Sequence, residues 1–132
     1  MDNAIVKTWL DALVRTANAR DLDAHMALIS KKVQVYGVPG AETIGYDDWR
    51  AQCRHEFEHG ILENLRYEGI HVKVITPRRI MFETRETVQA NDGTIQVMDV
   101  DIMLEREPDD KWRVIQEQVN AYTTLPPGGR RH

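Results

Sequence analysis

The sequence is poor in cysteine, in excess basic charge and in long apolar runs, and each shortage removes a class of protein. A single cysteine, Cys53, excludes an internal disulfide and a cysteine-based zinc site. No apolar run approaches the roughly 20 residues that a membrane-spanning helix needs, and the N-terminus lacks the character of a secretion signal. The net charge is -4 and Lys and Arg are scattered, so no basic footprint for nucleic acid is present. We therefore expect a cytoplasmic protein that binds neither nucleic acid nor membranes.

Three segments have the apolar spacing of amphipathic helices. Residues 3–18 form the first, and Asp21 is placed to cap a short second helix. A third helix is predicted over residues 48–59, with Asp47 or Asp48 as its cap. All three precede most of the predicted strands, so the helices are expected to pack together against one sheet.

Alternation of apolar and polar residues replaces helical spacing in the second half of the chain. After an early strand at 33–36, strands are predicted over residues 66–75, 80–88, 96–105 and 112–122. Short turns join the later strands, which favours antiparallel pairing. This order predicts an α+β fold in which three N-terminal helices pack on one curved, mostly antiparallel sheet and leave a pocket. We expect one domain over residues 1–124 and a disordered tail over residues 125–132.

Four short segments, in this order and spacing, resemble the nuclear transport factor 2-like superfamily. They are the Asp-Leu-Asp of residues 21–23, residues 33–40 with their Pro-Gly turn, residues 45–49 and residues 111–114. The resemblance implies a cone-shaped sheet that helices close around a pocket, commonly in a homodimer. The superfamily includes ketosteroid isomerases, polyketide cyclases, dehydratases and many other bacterial proteins, so the fold alone does not determine the chemistry.

The ketosteroid isomerases within that superfamily provide a direct comparison of site residues. Their general-base carboxylate, aligned on the shared Asp-Leu-Asp, falls on Gly37, which can abstract no proton. Their oxyanion-hole tyrosine falls near Leu13, and their protonated oxyanion acid falls near Asp101 or Ile102. Two of the three parts are missing, so we reject steroid isomerisation by that mechanism.

The segment from His55 to His59 has the H-E-x-x-H spacing of zinc hydrolases, with Glu56 second. On a helix the two His side chains would share one face, but that face lies nearly opposite the apolar stripe of Trp49, Cys53 and Phe57. A metal bound there would face solvent. We therefore interpret the two histidines as a solvated helix surface and expect no metal site.

Glu86 is the candidate catalytic residue, because it shares a strand face with Phe82 and Val88 and so could project into the pocket. A buried carboxyl has a raised pKa and can act as acid or base near neutral pH. The alternative is an exposed strand end, or an ion pair with Arg85, Arg66 or Arg113. Asp99 and Asp101 oppose a uniformly apolar face and are expected on the outer face of the sheet.

Six residues are candidates for binding a ligand. Four are aromatic residues near the predicted mouth of the pocket and two are amides on the last strand: Tyr36, Trp49, Tyr67, Phe82, Gln116 and Gln118. The aromatic residues could equally be core packing. The last strand has apolar residues at both parities, so the amides could equally pair with neighbouring strands. His25 is expected to be a boundary residue bonded to backbone, and Cys53 a small buried hydrophobe.

The sequence favours a protein with a small-molecule-binding pocket that forms a homodimer and needs no cofactor. If it is an enzyme, it is an isomerase, dehydratase or cyclase that applies acid–base chemistry to a mostly apolar ligand. Glu86 would then transfer the proton, while Tyr36 and Gln116 orient the ligand. The alternatives are a non-catalytic dimeric binding or assembly module, and a zinc hydrolase built on His55, Glu56 and His59.

Overall fold

The structure, a computed structural model, describes residues 3–127. The elements in chain order are α1 (Ala4–Asn18), α2 (Leu22–Met26), β1 (Ile29–Tyr36), α3 (Tyr46–Glu58), β2 (Leu62–Ile75), β3 (Arg79–Ala90), β4 (Ile95–Arg106) and β5 (Trp112–Leu125). No helix within residues 3–127 is both long and apolar enough to cross a membrane.

One five-stranded sheet runs in the order β1-β5-β4-β3-β2. β2 to β5 form a meander of antiparallel neighbours, and β1 joins the edge of the sheet parallel to β5. The predicted α+β fold with a mostly antiparallel sheet is confirmed. The order follows from the chain, because short turns keep β2 to β5 adjacent while α3 carries the chain from β1 to β2.

The helices form where their apolar stripes predict, and one cap differs from the prediction. Asp21 caps α2 as expected, since its side chain accepts a hydrogen bond from the amide of Ala24 at 3.1 Å. α3 begins at Tyr46, with Gly45 rather than Asp47 or Asp48 at the cap position. Asp48 instead lies in the first turn and accepts a hydrogen bond from the Gly45 amide at 3.1 Å. An acidic side chain at that position satisfies a free amide from inside the helix.

The core occupies one half of the inner face of the sheet. Phe82, Ile102 and Leu104 are fully buried there, and Leu13 of α1 packs in the same cluster. The regular alternation predicted for β3 and β4 is therefore confirmed. Towards the other end of β3, Glu86 and Val88 follow on the same face, where the helices leave the sheet partly uncovered.

Two bulges interrupt β5 and change which of its side chains face inward. Val114 lies opposite Leu104 and Gln116 opposite Met103, so Ile115 is an extra residue between the two pairs. A bulge of this kind reverses the alternation of the residues that follow it. The uninterrupted alternation assumed for residues 112–122 is therefore wrong.

The ends of the sheet differ slightly from the prediction. β5 continues to Leu125, which pairs with Ile95, so the proposed disordered tail cannot begin at that residue. Residues 128–132, the rest of that predicted tail, lie outside the described residues. β2 begins at Leu62, four residues before the predicted strand.

Candidate functional site

A cavity of about 510 Å³ lies between the uncovered half of the sheet and the three helices. This volume is in the usual range of small-molecule sites, about 300 to 1,000 Å³. Most of its wall is apolar or aromatic, with Leu13, Val35, Val38, Ile44, Trp49, Phe57, Leu62, Leu65, Val88, Met98, Val119 and Tyr122 among the lining residues. The cavity therefore suits a molecule with a largely apolar body.

Four carboxylic acids also line this cavity. Asp48 and Glu56 come from α3, Glu86 from β3 and Glu117 from β5. No Lys or Arg of the described chain lines the cavity with them. The acids therefore have no ion-pair partner among the residues of the cavity wall.

Glu86 faces the cavity, as its strand position predicts. Burial raises the pKa of its carboxyl from 4.5 to about 7, against the opposing effect of a hydrogen bond from the Tyr67 hydroxyl. The three arginines considered as partners are engaged elsewhere: Arg85 binds Asp99 at 2.8 Å, Arg113 binds Glu107 and Asp109, and Arg66 lies 3.8 Å from Glu68. The carboxyl of Glu86 is therefore free to change protonation near neutral pH.

Glu117 is the more buried of the two strand carboxyls, with 7% of its surface exposed. Burial, and to a smaller extent the nearby charge of Glu86, raise the pKa of its carboxyl to about 8. No hydrogen-bond partner for this carboxyl is found within residues 3–127. Two acids that interact in this way share their protons, so ionisation of one opposes ionisation of the other.

His25 of α2 adds a neutral base to the cavity wall. Burial lowers the pKa of its ring to about 4, opposed by a hydrogen bond to the Leu13 carbonyl. The Thr16 hydroxyl donates to the Ala12 carbonyl at 2.8 Å and lies 2.8 Å from Nδ1 of His25. The ring of His25 is therefore held against α1 by Thr16 and by the Leu13 carbonyl, and it is neutral at neutral pH.

Tyr67 and Cys53 line the same cavity and stay protonated there. Burial raises the pKa of the Tyr67 hydroxyl well above its usual value, and the charges of Glu86 and Glu117 act in the same direction. Burial likewise raises the pKa of the Cys53 thiol to about 12. Tyr67 is therefore a hydrogen-bond donor to Glu86, and Cys53 is an unreactive thiol.

Of the six predicted ligand-binding residues, the structure brings only Trp49 and Tyr67 to the cavity. The other four residues lie outside it. Phe82 has no exposed surface and packs in the filled half of the core. The Tyr36 hydroxyl donates to Gln34 at 2.7 Å on the outside of β1. Gln116 is exposed and Gln118 donates to the Val119 carbonyl at 3.3 Å, because the bulge at Ile115 turns Glu117 inward instead.

The H-E-x-x-H segment divides between solvent and cavity. His55 and His59 are exposed, with their rings 4.6 Å apart, while Glu56 lines the cavity and accepts a hydrogen bond from Gln52 at 2.8 Å. Among residues 3–127 no group of three His, Cys, Asp or Glu side chains is arranged to hold a metal ion. The segment therefore contributes an acid to the cavity rather than a pair of ligands.

Three cavity residues were not proposed as site residues from the sequence. Glu117 was missed because the bulge that turns it inward cannot be read from the alternation of β5. His25 was missed because its hydrogen bond to Thr16 joins two helices that are separate in the sequence. Glu56 was considered only as part of a metal motif. A partial signal existed for Glu117, an acid between Ile115 and Val119 in an otherwise apolar stretch of one parity.

A second hollow, of about 600 Å³, lies on the surface between α1 and β2. The charged residues along it, Lys7, Asp11, Arg15 and Arg66, are all exposed to solvent. It has no buried polar side chain that would orient a ligand, so the cavity between the sheet and the helices is the better candidate site.

Comparison with known proteins agrees with this architecture. The family model of the SnoaL-like domain matches residues 6–121. No curated protein matches the chain in sequence. A nuclear transport factor 2-like protein of unknown function from Shewanella oneidensis MR-1 has a similar structure, with a TM-score of 0.71 and 15% identity over 92% of this chain and 100% of that one. The resemblance to the nuclear transport factor 2-like superfamily is confirmed.

Two similar structures from Novosphingobium aromaticivorans have names that refer to an activity. One, provisionally described as a scytalone dehydratase, has a TM-score of 0.68 and 10% identity, over 96% of this chain and 93% of that one. The other, provisionally described as an aromatic ring hydroxylase, has a TM-score of 0.69 and 10% identity, over 93% and 92%. At such low identity the likeness shows the fold alone.

Proposed function

Because the chain belongs to the SnoaL-like domain family, we propose that it is an enzyme that moves protons on a small, mostly apolar molecule held in the cavity. The reaction would be an isomerisation, a dehydration or a cyclisation, and it needs no cofactor. The similar structure described as a dehydratase is consistent with this class but does not identify the substrate.

The observation that carries the proposal is the pair of carboxyls, Glu86 and Glu117, facing an apolar cavity without a cation. Burial raises their pKa values to about 7 and about 8, so one can be protonated while the other is ionised at neutral pH. General catalysis works best when the pKa of the acid or base lies near the working pH. A structural ion pair would have moved both pKa values in the other direction.

In the proposed chemistry one carboxyl accepts a proton from the substrate and the other donates a proton to it. The ionised carboxylate, Glu86 in our assignment, takes a proton from a substrate carbon next to a carbonyl. Protonated Glu117 donates its proton to the carbonyl oxygen, which gives an enol. In a dehydration it donates instead to a hydroxyl on the β carbon, and the C–O bond breaks to release water as the C=C bond forms. The Tyr67 hydroxyl positions Glu86 through its hydrogen bond, and the neutral His25 ring in the cavity wall would hydrogen-bond a substrate hydroxyl.

The alternative of a non-catalytic binding or assembly module predicts a cavity filled by aromatic side chains and free of ionisable groups. Phe82 does fill the core, but the neighbouring cavity is open and lined by four acids. This arrangement supports the enzyme. Homodimer formation and a cytoplasmic location remain predictions from the sequence.

Proton abstraction can be tested before the natural substrate is known. We would incubate the protein in D2O with 2-tetralone and follow deuterium entering the carbon next to the carbonyl by NMR, after verifying binding from chemical-shift changes. We expect exchange faster than in buffer, and a rate about 100-fold lower in Glu86→Gln, the usual effect of removing a general base.

The matched control is Glu83→Gln, on the same strand but on its outer face, which should exchange at the wild-type rate. Exchange at the buffer rate with the ketone bound, or full activity in Glu86→Gln, would contradict the proposal.

A further inference from the structure

The charged groups of the cavity wall indicate which charge a ligand of the proposed enzyme carries. Two of its acids, Asp48 and Glu56, lie at or near the surface, and two, Glu86 and Glu117, lie on the sheet. No Lys or Arg among the described residues offsets them there. A ligand with a carboxylate or phosphate would therefore find no positive charge to balance its own, and the ionised carboxylates there would repel it inside a protein of low effective dielectric constant.

Glu117 gives a second indication of the chemical group that the ligand carries. The residue is more than nine-tenths buried and lines the cavity, yet no group within residues 3–127 hydrogen-bonds to its carboxyl. The carboxyl oxygens are not among the fully buried, unpartnered atoms of these residues, so they reach the open space of the cavity. A donor on the ligand is the simplest partner, because the side chain points into the space that a ligand would occupy.

We propose that the ligand of this cavity is a protonated amine on an apolar body, with its ammonium group placed against Glu117. An ammonium group brings three donors and a positive charge to the cluster of acids. The aromatic wall is compatible with it, because Trp49, Tyr67 and Tyr122 can attract a cation through their ring faces. The inference rests on the proposed function, because it concerns the same cavity, and it adds that the substrate carries a positive charge.

Proton release should accompany binding of such a ligand. The ionisable groups that line the cavity with Glu117 are Glu86 on β3, Tyr67 on β2, Tyr122 on β5, His25 on α2, and Asp48, Cys53 and Glu56 on α3. None of them is a cation at neutral pH, since the His25 pKa is lowered to about 4. An ammonium group would therefore favour ionisation of one carboxyl of the Glu86–Glu117 pair, and the proton it displaces would pass to the buffer, while the other carboxyl keeps the proton that the proposed acid step uses.

Three probes that share a phenyl ring separate the effect of charge from that of apolar contact: 2-phenylethylamine, 2-phenylethanol and phenylacetate. We would measure their binding by titration calorimetry at neutral pH in two buffers of different ionisation enthalpy, which also counts the protons released. The amine should bind at least tenfold more tightly than the alcohol, with proton release, and phenylacetate should bind most weakly. Glu117→Gln should weaken amine binding about tenfold or more while leaving the alcohol nearly unchanged, as expected for a hydrogen bond to a charged group.

Glu83→Gln is again the matched control, because it makes the same change in net charge on the outer face. Glu86→Gln is a second cavity variant if Glu117→Gln does not fold. The inference is overturned if the amine does not bind at millimolar concentration, if the alcohol or phenylacetate binds as tightly, or if removing the carboxyl leaves the amine preference intact. If the neutral alcohol binds more tightly than the amine, only the proposal of an amine ligand fails. The proposed acid–base function is tested separately, by the exchange of 2-tetralone protons.

Discussion

The two faces of the sheet carry the same kind of side chain in opposite surroundings. On the outer face Asp99 binds Arg85 at 2.8 Å, and Asp101 binds Lys73 at 2.9 Å. Glu105 accepts hydrogen bonds from Lys32 and Arg79. The pKa values of these three acids are lowered, with the hydrogen bonds from their basic partners acting against partial burial. They remain charged and structural.

The acids on the inner face have no such partners, and their pKa values move upward. Exposure alone does not separate the two groups, since the Glu105 side chain is only 15% exposed yet its pKa is lowered. Glu117 is 7% exposed, and its pKa is raised to about 8. The presence or absence of a neighbouring cation therefore decides the direction of the shift, and it distinguishes a structural carboxylate from one that can transfer protons.

The largest expected change in folding stability comes from replacing Glu117, the buried acid of the inner face, with a side chain that cannot ionise. The folded protein keeps the Glu117 proton up to a pH of about 8, whereas the unfolded chain releases it near 4.5. Folding stability is therefore lost as the pH rises between these values. Glu117→Gln should raise the free energy of unfolding by about 2 to 5 kcal/mol at a pH of about 9, and change it little at a pH of about 4. Urea unfolding at both pH values measures the difference.

In the same experiment, Glu83→Gln on the outer face should stay within about 0.5 kcal/mol of the parent at both pH values. An equal gain from Glu117→Gln at low and high pH would show that the residue does not titrate as proposed.

An intermediate effect is expected at the hydrogen bond between the Tyr67 hydroxyl and Glu86. That bond lowers the Glu86 pKa, whereas burial raises it by a larger amount. Tyr67→Phe should therefore raise the Glu86 pKa by about one unit, equivalent to roughly 1.4 kcal/mol. Titration of 13C-labelled glutamate carboxyls by NMR reports the change. Tyr122→Phe, which removes another hydroxyl from the cavity wall, should leave Glu86 unaltered, and an unchanged or lower pKa in Tyr67→Phe would disprove the assignment.

The smallest effect is expected at the outer pair of Arg85 and Asp99. Their side chains are 55% and 33% exposed, so solvent screens the attraction. Asp99→Asn should cost less than about 1 kcal/mol, and the cost should shrink further in high salt. Denaturant unfolding at two ionic strengths provides the measurement. A loss above about 2 kcal/mol would mean that the outer acids are not the weak partners described above.

Several features of the molecule follow from local pattern. The apolar stripe of α1 and the alternation in β3 and β4 place Leu13, Phe82 and Ile102 in the core. Asp21 caps α2 because its side chain reaches an amide three residues ahead. Glu86 faces inward because β3 pairs with β4 without a register shift from Ile80 to Val88, so Glu86 stays on the face of Phe82. Each of these depends only on neighbours in sequence and on the period of the element.

The sequence by itself thus determined the order of helices and strands, the α+β class and the inward position of Glu86. Only the tertiary structure decided that Glu117 replaces Gln116 on the inner face, because the bulge at Ile115 depends on how β5 aligns with β4. The neutral state of His25 likewise depends on packing between two helices. A strand's period is a property of its own residues, whereas its register and the space left beneath it depend on the elements that pack around it.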